Sequence, residues 1–466
     1  MRLKLNGLAC AVMLVLQGCS MAPTYKTPAT PLPPHYSGPW QAAKPADNVP
    51  AKWWALYQDP QLDALQGKLI AANPDLAAAL AHFDAAQAYA SQLHGGLFPQ
   101  IGASGSSVRQ RQSENKPLRG SDQPNVYNTN TSAFTLNWDL DFWGKVRNQV
   151  AAGDAQAQAS ADDLEVARQS LQRQLSNLYL QLAGLDAQQG ILKASLDDYT
   201  QALQLTRDRY EGKIASELDM TRAQSELAQA QAQLDEVISQ RNLTEHAIGE
   251  LVGEPATTFT LPAIAKAPTL PGIPGELPST LLQRRPDVAA AERRVFAANA
   301  NIGVAKAAFY PDFSLSGYFG GQDMGVGNLL AAANRFWAIG PVVNLPIFDG
   351  GKLRGAERQA KAEFAEASAH YRGSVLKAVR EVEDNLSQLR DLKLEAADQQ
   401  AAVDAATQTQ TLAMNSYQAG AVNYLDVVTA QTAALDAQRR LQDVQTRRLQ
   451  ASVGLMVALG GGWKDR

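Results

Sequence analysis

The chain is poor in the residues on which reactive sites most often depend. Its 466 residues include only two cysteines and five histidines, and the histidines are scattered without the spacing of metal ligands. The sequence contains neither a phosphate-binding glycine loop nor a nucleophile elbow. The formal net charge of −4 offers no basic surface to a nucleic acid. These absences predict a protein that is not an enzyme, holds no metal and has no nucleic-acid partner.

Long apolar runs and aromatic residues are also scarce. After residue 19 no stretch has the roughly 18 to 20 consecutive apolar residues of a membrane-spanning helix. Aromatic residues make up 7% of the chain, while alanine and glutamine recur throughout. This composition is typical of long, closely packed helices.

The N-terminus has the pattern of an export signal. Arg2 and Lys4 precede a short apolar core that ends near Leu16, which predicts a signal peptide at 1–18. The following Leu16-Gln17-Gly18-Cys19 resembles the bacterial lipobox, and this resemblance implies a diacylglycerol and an N-acyl chain on Cys19, with no other cofactor. Ser20 after the cysteine implies sorting to the outer membrane. The alternative is an ordinary signal peptide with an incidental cysteine.

Two halves of the chain repeat one another. The segment that begins at Asn73-Pro74-Asp75 matches the one at Arg285-Pro286-Asp287 with an offset of 212 positions, and the match extends without a gap to Phe98-Pro99 and Tyr310-Pro311. Further on, Tyr210 and Leu218-Asp219 are echoed by Tyr417 and Leu425-Asp426. Repetition on this scale predicts two copies of one structural unit. We place the copies at 59–253 and 278–459.

Each copy reads as helix, strand, loop, strand, long helix, turn and helix. The clearest strand alternates Phe134, Leu136 and Trp138 with polar residues, which places the two sets on opposite faces. In the first copy, Asp59 to Gly95 reads as one helical segment. The predicted strands cover about 99–110, 129–142, 311–320 and 335–348.

The long helices follow heptad spacing. From Leu171 to Tyr210, leucines and tyrosines recur at steps of three and four residues, interrupted only by Gln189 and Thr206, which is typical of left-handed coiled-coil packing. At about 1.5 Å per residue, some 65 residues give a rod of roughly 100 Å. The remaining segments are an N-terminal tether at 19–58, a proline-rich crossover at 254–277 and a C-terminal tail at 460–466.

Four strands of about ten residues have the length that crosses a membrane when tilted. Four strands cannot close a barrel, and an open sheet edge in lipid leaves backbone groups without hydrogen bonds. A membrane-spanning form must therefore oligomerise, and symmetry alone allows two, three or four copies. The alternative is that the strands cover a soluble core.

Several motifs together resemble a known family. Cys19 with a proline-rich tail, Lys52-Trp53-Trp54, Leu281-Leu282-Gln283-Arg284-Arg285-Pro286-Asp287 and Phe348-Asp349-Gly350-Gly351 are similar to the lipoprotein (NodT-type) branch of the TolC-like outer-membrane efflux proteins. The resemblance covers nearly the whole mature chain. It implies a mixed, mainly α-helical membrane protein: a homotrimer whose 12-stranded transmembrane β-barrel continues into a periplasmic 12-helix coiled-coil tunnel, with an equatorial collar that includes part of 19–58.

The resemblance also implies function, partners and location. Such proteins lie in the outer membrane and extend into the periplasm, where an adaptor connects them to an inner-membrane pump. This chain would then be a passive, gated duct for small toxic compounds or drugs. One alternative is the duct of a type I protein secretion system, and another is a lipid-anchored coiled-coil scaffold without a pore.

The residues that would serve a duct fall into two groups. In the barrel, the polar set of the return strand is expected to face the lumen: Thr135, Asn137, Asp139 and Asp141. Trp143 is expected either at the membrane interface or packed beneath the barrel.

By resemblance, the second helical tip forms the periplasmic gate, which points to Tyr417, Asn423, Tyr424, Leu425 and Asp426. Some relatives carry an aspartate one turn beyond this leucine, where this chain has Thr429. Asp426 could instead be a carboxylate that stabilises a helix N-terminus.

Overall fold

A computed structural model describes residues 20–30, 50–115, 124–264, 268–272 and 284–463. The predicted signal peptide, Cys19 and much of the predicted tether lie outside the described residues. So do residues 281–283 of the arginine-proline motif.

Within these residues the protein is mainly α-helical. The helices are α1 Pro60–Ala72, α2 Pro74–Gly95, α3 Lys145–Glu211, α4 Glu217–Leu251, α5 Pro286–Ala307, α6 Lys352–Gln418 and α7 Tyr424–Ala458. The strands are β1 Gln100–Arg111, β2 Val126–Asp139, β3 Asp312–Asp323 and β4 Arg335–Asn344. Helix lengths recur along the chain: α2 and α5 have 22 residues each, α3 and α6 have 67, and α4 and α7 have 35. Among the described residues, no helix combines the length and apolarity needed to cross a bilayer.

The helical segment predicted from Asp59 to Gly95 is two helices. Pro74 lacks the N–H group that would continue α1 and instead begins α2. Asn73 supports the break, because its Oδ1 accepts a hydrogen bond from the Leu76 N–H at 2.8 Å and its Nδ2 donates to the Leu251 carbonyl at 2.8 Å. The periodicity continues across the break, which is why the pattern alone did not reveal it.

The described residues form two compact units. The first comprises residues up to 29 together with 82–161 and 290–372, and the second comprises 30–81, 162–289 and the chain from 373 onward. The first unit contains a four-stranded antiparallel sheet in the order β1-β2-β3-β4. β1 and β4 are therefore edge strands. Pro341, paired with Leu315, lies within β4, at an edge where a missing N–H is tolerated.

An N-terminal strap at residues 20–25 lies along α5 in the first unit. Asn299 donates to the Pro23 carbonyl at 2.9 Å, and the Tyr25 hydroxyl donates to Glu292 at 2.5 Å. At Gly303 the approach is so close that a Cβ atom would lie 2.7 Å from the Ala22 nitrogen. These residues, which the sequence predicts as part of the N-terminal tether, are docked on a helix.

The second unit contains a large buried apolar cluster. The short 3₁₀ helix Trp53–Tyr57 contributes the buried rings of Trp53, Trp54 and Tyr57, and the Tyr57 hydroxyl lies 2.6 Å from Ser452 Oγ. Leucines of α1, α3 and α7 complete this core: Leu62, Leu69, Leu175, Leu182 and Leu455. The heptad leucines predicted on α3 therefore supply its buried face.

Arg285 connects three segments of the second unit. Its guanidinium donates to both Asp287 carboxylate oxygens at 2.9 and 2.7 Å, to Glu381 at 2.7 Å and to the Ala458 carbonyl at 3.3 Å. Burial disfavours the charged guanidinium, but its hydrogen bonds and the attraction of the two carboxylates outweigh that effect and raise the pKa of Arg285. The arginine of the repeated motif is therefore a buried ionic connection.

Candidate functional site

The register of the sheet places three predicted lumen residues on one face. Thr135, Asn137 and Asp139 alternate along β2 with apolar residues, so their side chains point the same way. Their partners on the neighbouring strands are small or polar: Gln100, Gly102, Ser314, Ser316 and Tyr318. Ser316 Oγ donates to Asn137 Oδ1 at 3.3 Å. This face can therefore border water.

The opposite face of the sheet is apolar and exposed. Ile101 is 76% exposed, Phe134 59% and Trp337 70%. Together with Phe319 and Ile339 they line a groove of about 390 Å³. A contiguous exposed apolar surface of this kind marks a site of contact with lipid or protein.

Asp141 lies beyond the sheet, because β2 ends at Asp139 rather than at the predicted residue 142. Its backbone turns into the left-handed region with φ of 43°. Its carboxylate accepts hydrogen bonds from the Val146 and Arg147 N–H groups at 2.9 Å each. Asp141 thus satisfies two free N–H groups at the start of α3, where negative charge is favoured.

Trp143 is packed at the same junction. Its indole N–H donates to the Pro311 carbonyl at 2.8 Å, and its ring stacks on Tyr310 with centroids 4.8 Å apart. Trp143 therefore packs against the segment between α5 and β3.

Two tyrosines form the centre of the tip between α6 and α7. Tyr417 is 5% exposed and Tyr424 1%, and their rings meet edge to face at 5.5 Å. Burial raises the pKa of the Tyr424 hydroxyl above its ordinary value, because the phenolate would lose its hydration. These two tyrosines, which the sequence predicts as gate residues, are thus core residues of the tip.

Arg209 of α3 holds this tip. Its guanidinium donates to the Tyr417 carbonyl and lies over the Tyr417 ring, 4.6 Å from the centroid. The Tyr417 hydroxyl also lies 3.5 Å from Oγ1 of the fully buried Thr206. A cation over an aromatic face is attractive, so these contacts tie α3 to the end of α6.

Leu425 and Asp426 lie on the outside of the tip. Leu425 is 47% exposed, and Asp426 is also exposed. Asn423 begins α7, and its Oδ1 accepts a hydrogen bond from the Asp426 N–H at 3.2 Å. Thr429 donates its hydroxyl to the Leu425 carbonyl at 2.8 Å, so this hydroxyl is bonded within its own helix.

The first tip, between α3 and α4, closes with the same hydrogen bonds. In the first tip, the Ile214 N–H donates to the Arg209 carbonyl and the Lys213 N–H to the Tyr210 carbonyl. In the second tip, the Ala421 N–H donates to the Ser416 carbonyl and the Gly420 N–H to the Tyr417 carbonyl. The left-handed position is Gly420 in one tip, with φ of 78°, and Lys213 in the other, with φ of 61°. Only glycine adopts this conformation without a steric penalty. The glycine of the first tip, Gly212, stands one position earlier than Gly420 does in the second, yet the two turns have the same hydrogen bonds.

Arg209 was missed by the sequence reasoning. It stands in the last turn of α3, directly before the repeated tyrosine Tyr210, and nothing in the spacing indicates that it reaches the other tip. Thr206 was noted only as an interruption of the leucine pattern. No group of three or more metal-type ligands occurs in the part of the chain that the structure describes.

Comparison with known proteins gives a uniform result. The family described as "Outer membrane efflux protein" matches residues 65–254 and 277–461. Outer membrane protein OprJ of Pseudomonas aeruginosa is 30% identical over 98% of this chain and 96% of its own length. The toluene efflux pump outer membrane protein TtgC of Pseudomonas putida is 31% identical over 97% and 94%.

The fold leads to the same family. The solved structure of the outer-membrane channel OprN superposes with a TM-score of 0.89 at 27% identity, covering 96% of this chain and all of that one. The resemblance stated from the sequence is confirmed. The chain belongs to the outer membrane efflux protein family, whose members act in the outer membrane.

Proposed function

We propose that this protein is the outer-membrane channel of a tripartite efflux system. It forms a passive, gated duct through which small toxic compounds leave the cell, driven by an inner-membrane pump and connected to it by a periplasmic adaptor. The observation that carries the proposal is the four-stranded sheet, with one exposed apolar face, one polar face and two unpaired edges. Such a duct performs no chemistry of its own.

The unpaired edges support a closed oligomer, and membership of the family favours a homotrimer. In lipid, each backbone group without a hydrogen bond costs several kcal/mol, so β1 of one protomer must pair with β4 of another. Three protomers supply twelve strands, an even number within the range of known barrels. The four long helices of each protomer supply a twelve-helix tunnel. The recurring lengths of 22, 67 and 35 residues support an internal tandem repeat in each protomer.

In this assembly Thr135, Asn137 and Asp139 face the lumen, while Phe134 and Trp337 face lipid. Asp141 holds the start of α3 below the barrel. Cys19 carries the diacylglycerol and N-acyl chains, and together these chains anchor the protein stably.

The second tip is the proposed gate. Its buried tyrosines, Tyr417 and Tyr424, keep the closed tip compact, and Arg209 ties it to α3. Leu425 and Asp426 are exposed at its surface, so three-fold symmetry would bring three leucines and three carboxylates together. A ring of carboxylates favours cations.

Loss of the Arg209 contacts should open the gate. We expect Arg209→Ala to remove the cation–π contact and the charged hydrogen bond, about 2 kcal/mol of closed-state stability, and to raise the open fraction more than about tenfold. Single-channel recording in planar bilayers measures this fraction. Arg207→Ala, an exposed arginine two residues earlier, is the matched control. Equal conductance in both variants would exclude this role for Arg209.

Leu425→Ala and Asp426→Ala should raise conductance as well.

A deletion strain tests the function as a whole. We expect hypersensitivity to a panel of toxic small molecules, full rescue by the wild-type gene and partial rescue by Cys19→Ser, because the barrel retains the protein in the membrane without lipid. An unchanged panel with loss of a secreted protein would instead identify a secretion duct. A purified protein that never conducts ions would identify a scaffold.

A further inference from the structure

The buried apolar residues near the second tip form two separate clusters. The tip cluster comprises Ala202, Ala223, Tyr417, Tyr424, Val427 and Val428. The shaft cluster comprises Leu185, Leu192, Tyr199, Ala230, Leu234, Val237 and Leu435. Both lie in the second unit and share α3, α4 and α7. Along α7 the large apolar side chains of the two clusters are interrupted between Val428 and Leu435, where the buried apolar residues are the alanines Ala430 and Ala434.

Gln431 occupies the interruption. It follows Val428 by three residues and precedes Leu435 by four, which places it on the same buried stripe of α7. It is only 3% exposed, yet neither its Nε2 nor its Oε1 has a hydrogen-bond partner among the described residues. The buried hydroxyl of Tyr424, within the tip cluster, also lacks one there. The closed tip thus buries polar groups whose desolvation is not compensated.

Other polar groups surround the same level of the helices. Thr432, the next residue, donates a hydrogen bond from its Oγ1 to a Glu226 carboxylate oxygen at 3.5 Å. Gln431, Thr432 and Glu226 therefore form a polar layer on α4 and α7 between the tip and shaft clusters.

The first copy of the repeat has no such layer at the equivalent place. Gln224 of α4 occupies the position that Gln431 occupies in α7, 207 residues later, and Gln224 is exposed to solvent. The same amino acid is thus buried at one tip and hydrated at the other. The uncompensated amide is a property of the second tip.

We propose that Gln431 is the hinge position on which the tip of α6 and α7 moves when the duct opens. This inference rests on the proposed gate and locates the moving part. The tip cluster can separate from its neighbours while the shaft cluster stays packed, and opening hydrates the Gln431 amide and the Tyr424 hydroxyl. Burial of these two polar groups destabilises the closed state, and their hydration stabilises the open state.

The test replaces Gln431 with residues that act in opposite directions. Gln431→Leu joins the two clusters with a side chain of similar size, so the backbone amides of residues 424–430 should exchange hydrogen about tenfold more slowly, with fewer channel openings. Gln431→Glu buries an unpaired charge and should speed exchange and increase openings. Gln224→Leu is the control and should change neither.

Exchange is measured by mass spectrometry on the full-length protein in detergent, and openings are measured in planar bilayers. If Gln431→Leu and Gln224→Leu exchange at the same rate in residues 424–430, the hinge is excluded. If the wild type never conducts while exchange still responds to Gln431, the proposed duct fails and the hinge stands as a property of the tip. The two conclusions are therefore tested separately.

Discussion

Phe134→Arg should prevent stable assembly of the protein in the outer membrane. Phe134 is 59% exposed on the apolar face of β2, paired with Phe319 of β3. An arginine on the lipid face of a barrel strand costs about 2–4 kcal/mol at mid-membrane, and a trimer bears this cost three times. We expect loss of the heat-modifiable trimer from outer-membrane fractions, as seen by gel mobility before and after boiling.

Asn137→Arg is the matched control. Asn137 lies three residues further along the same strand, on the polar face beside Ser316. An arginine there stays hydrated, so the trimer should form normally and only the ion selectivity of the pore should change. Equal trimer yields from the two variants would show that the apolar face does not contact lipid.

Arg285→Met should destabilise the second unit strongly. It leaves the carboxylates of Asp287 and Glu381 together without the cation that both now contact, and it removes the donor to the Ala458 carbonyl. Removal of one partner from a buried ionic network typically costs 3–5 kcal/mol. Both carboxylates are about a quarter exposed, so we expect about 2–3 kcal/mol. Thermal unfolding of the purified protein measures the loss.

The control for this variant is Arg380→Met. Arg380 pairs with Asp384 at 3.8 Å, and its side chain is 68% exposed. Exposed pairs of this kind contribute at most about 1 kcal/mol. If the two methionine variants unfold at the same temperature, Arg285 does not hold the network together as described.

Much of the fold follows from local patterns in the sequence. The alternation around Phe134 predicted the two faces of β2, because a strand has a strict period of two. Gly212 and Gly420 indicated the turns at which the long helices reverse. Strand ends were less predictable, since Phe142 continues the alternation while Asp141 is recruited to the N-terminus of α3.

The residues of the tip show the limit of such reasoning. The sequence identified Tyr417, Tyr424, Leu425 and Asp426 together, and only the structure separates the two buried tyrosines from the two exposed residues. Burial there depends on α3, whose Arg209 is more than 200 positions away. Gln431 could have been found from its heptad spacing with Tyr424 and Leu435, but its lack of a hydrogen-bond partner could not.

The N-terminal strap determines which changes in chain length can move Cys19. Its contacts with Glu292, Asn299 and Gly303 fix residues 22–25 along α5, so Cys19 can lie only a few residues from a fixed point. Lengthening the proline-rich stretch after residue 30 would leave the attachment point unmoved. Inserting residues between Cys19 and Ala22 would allow Cys19 to lie farther from the strap. In the lipidated form proposed above, the residues between Cys19 and Ala22 therefore set the reach of the anchor.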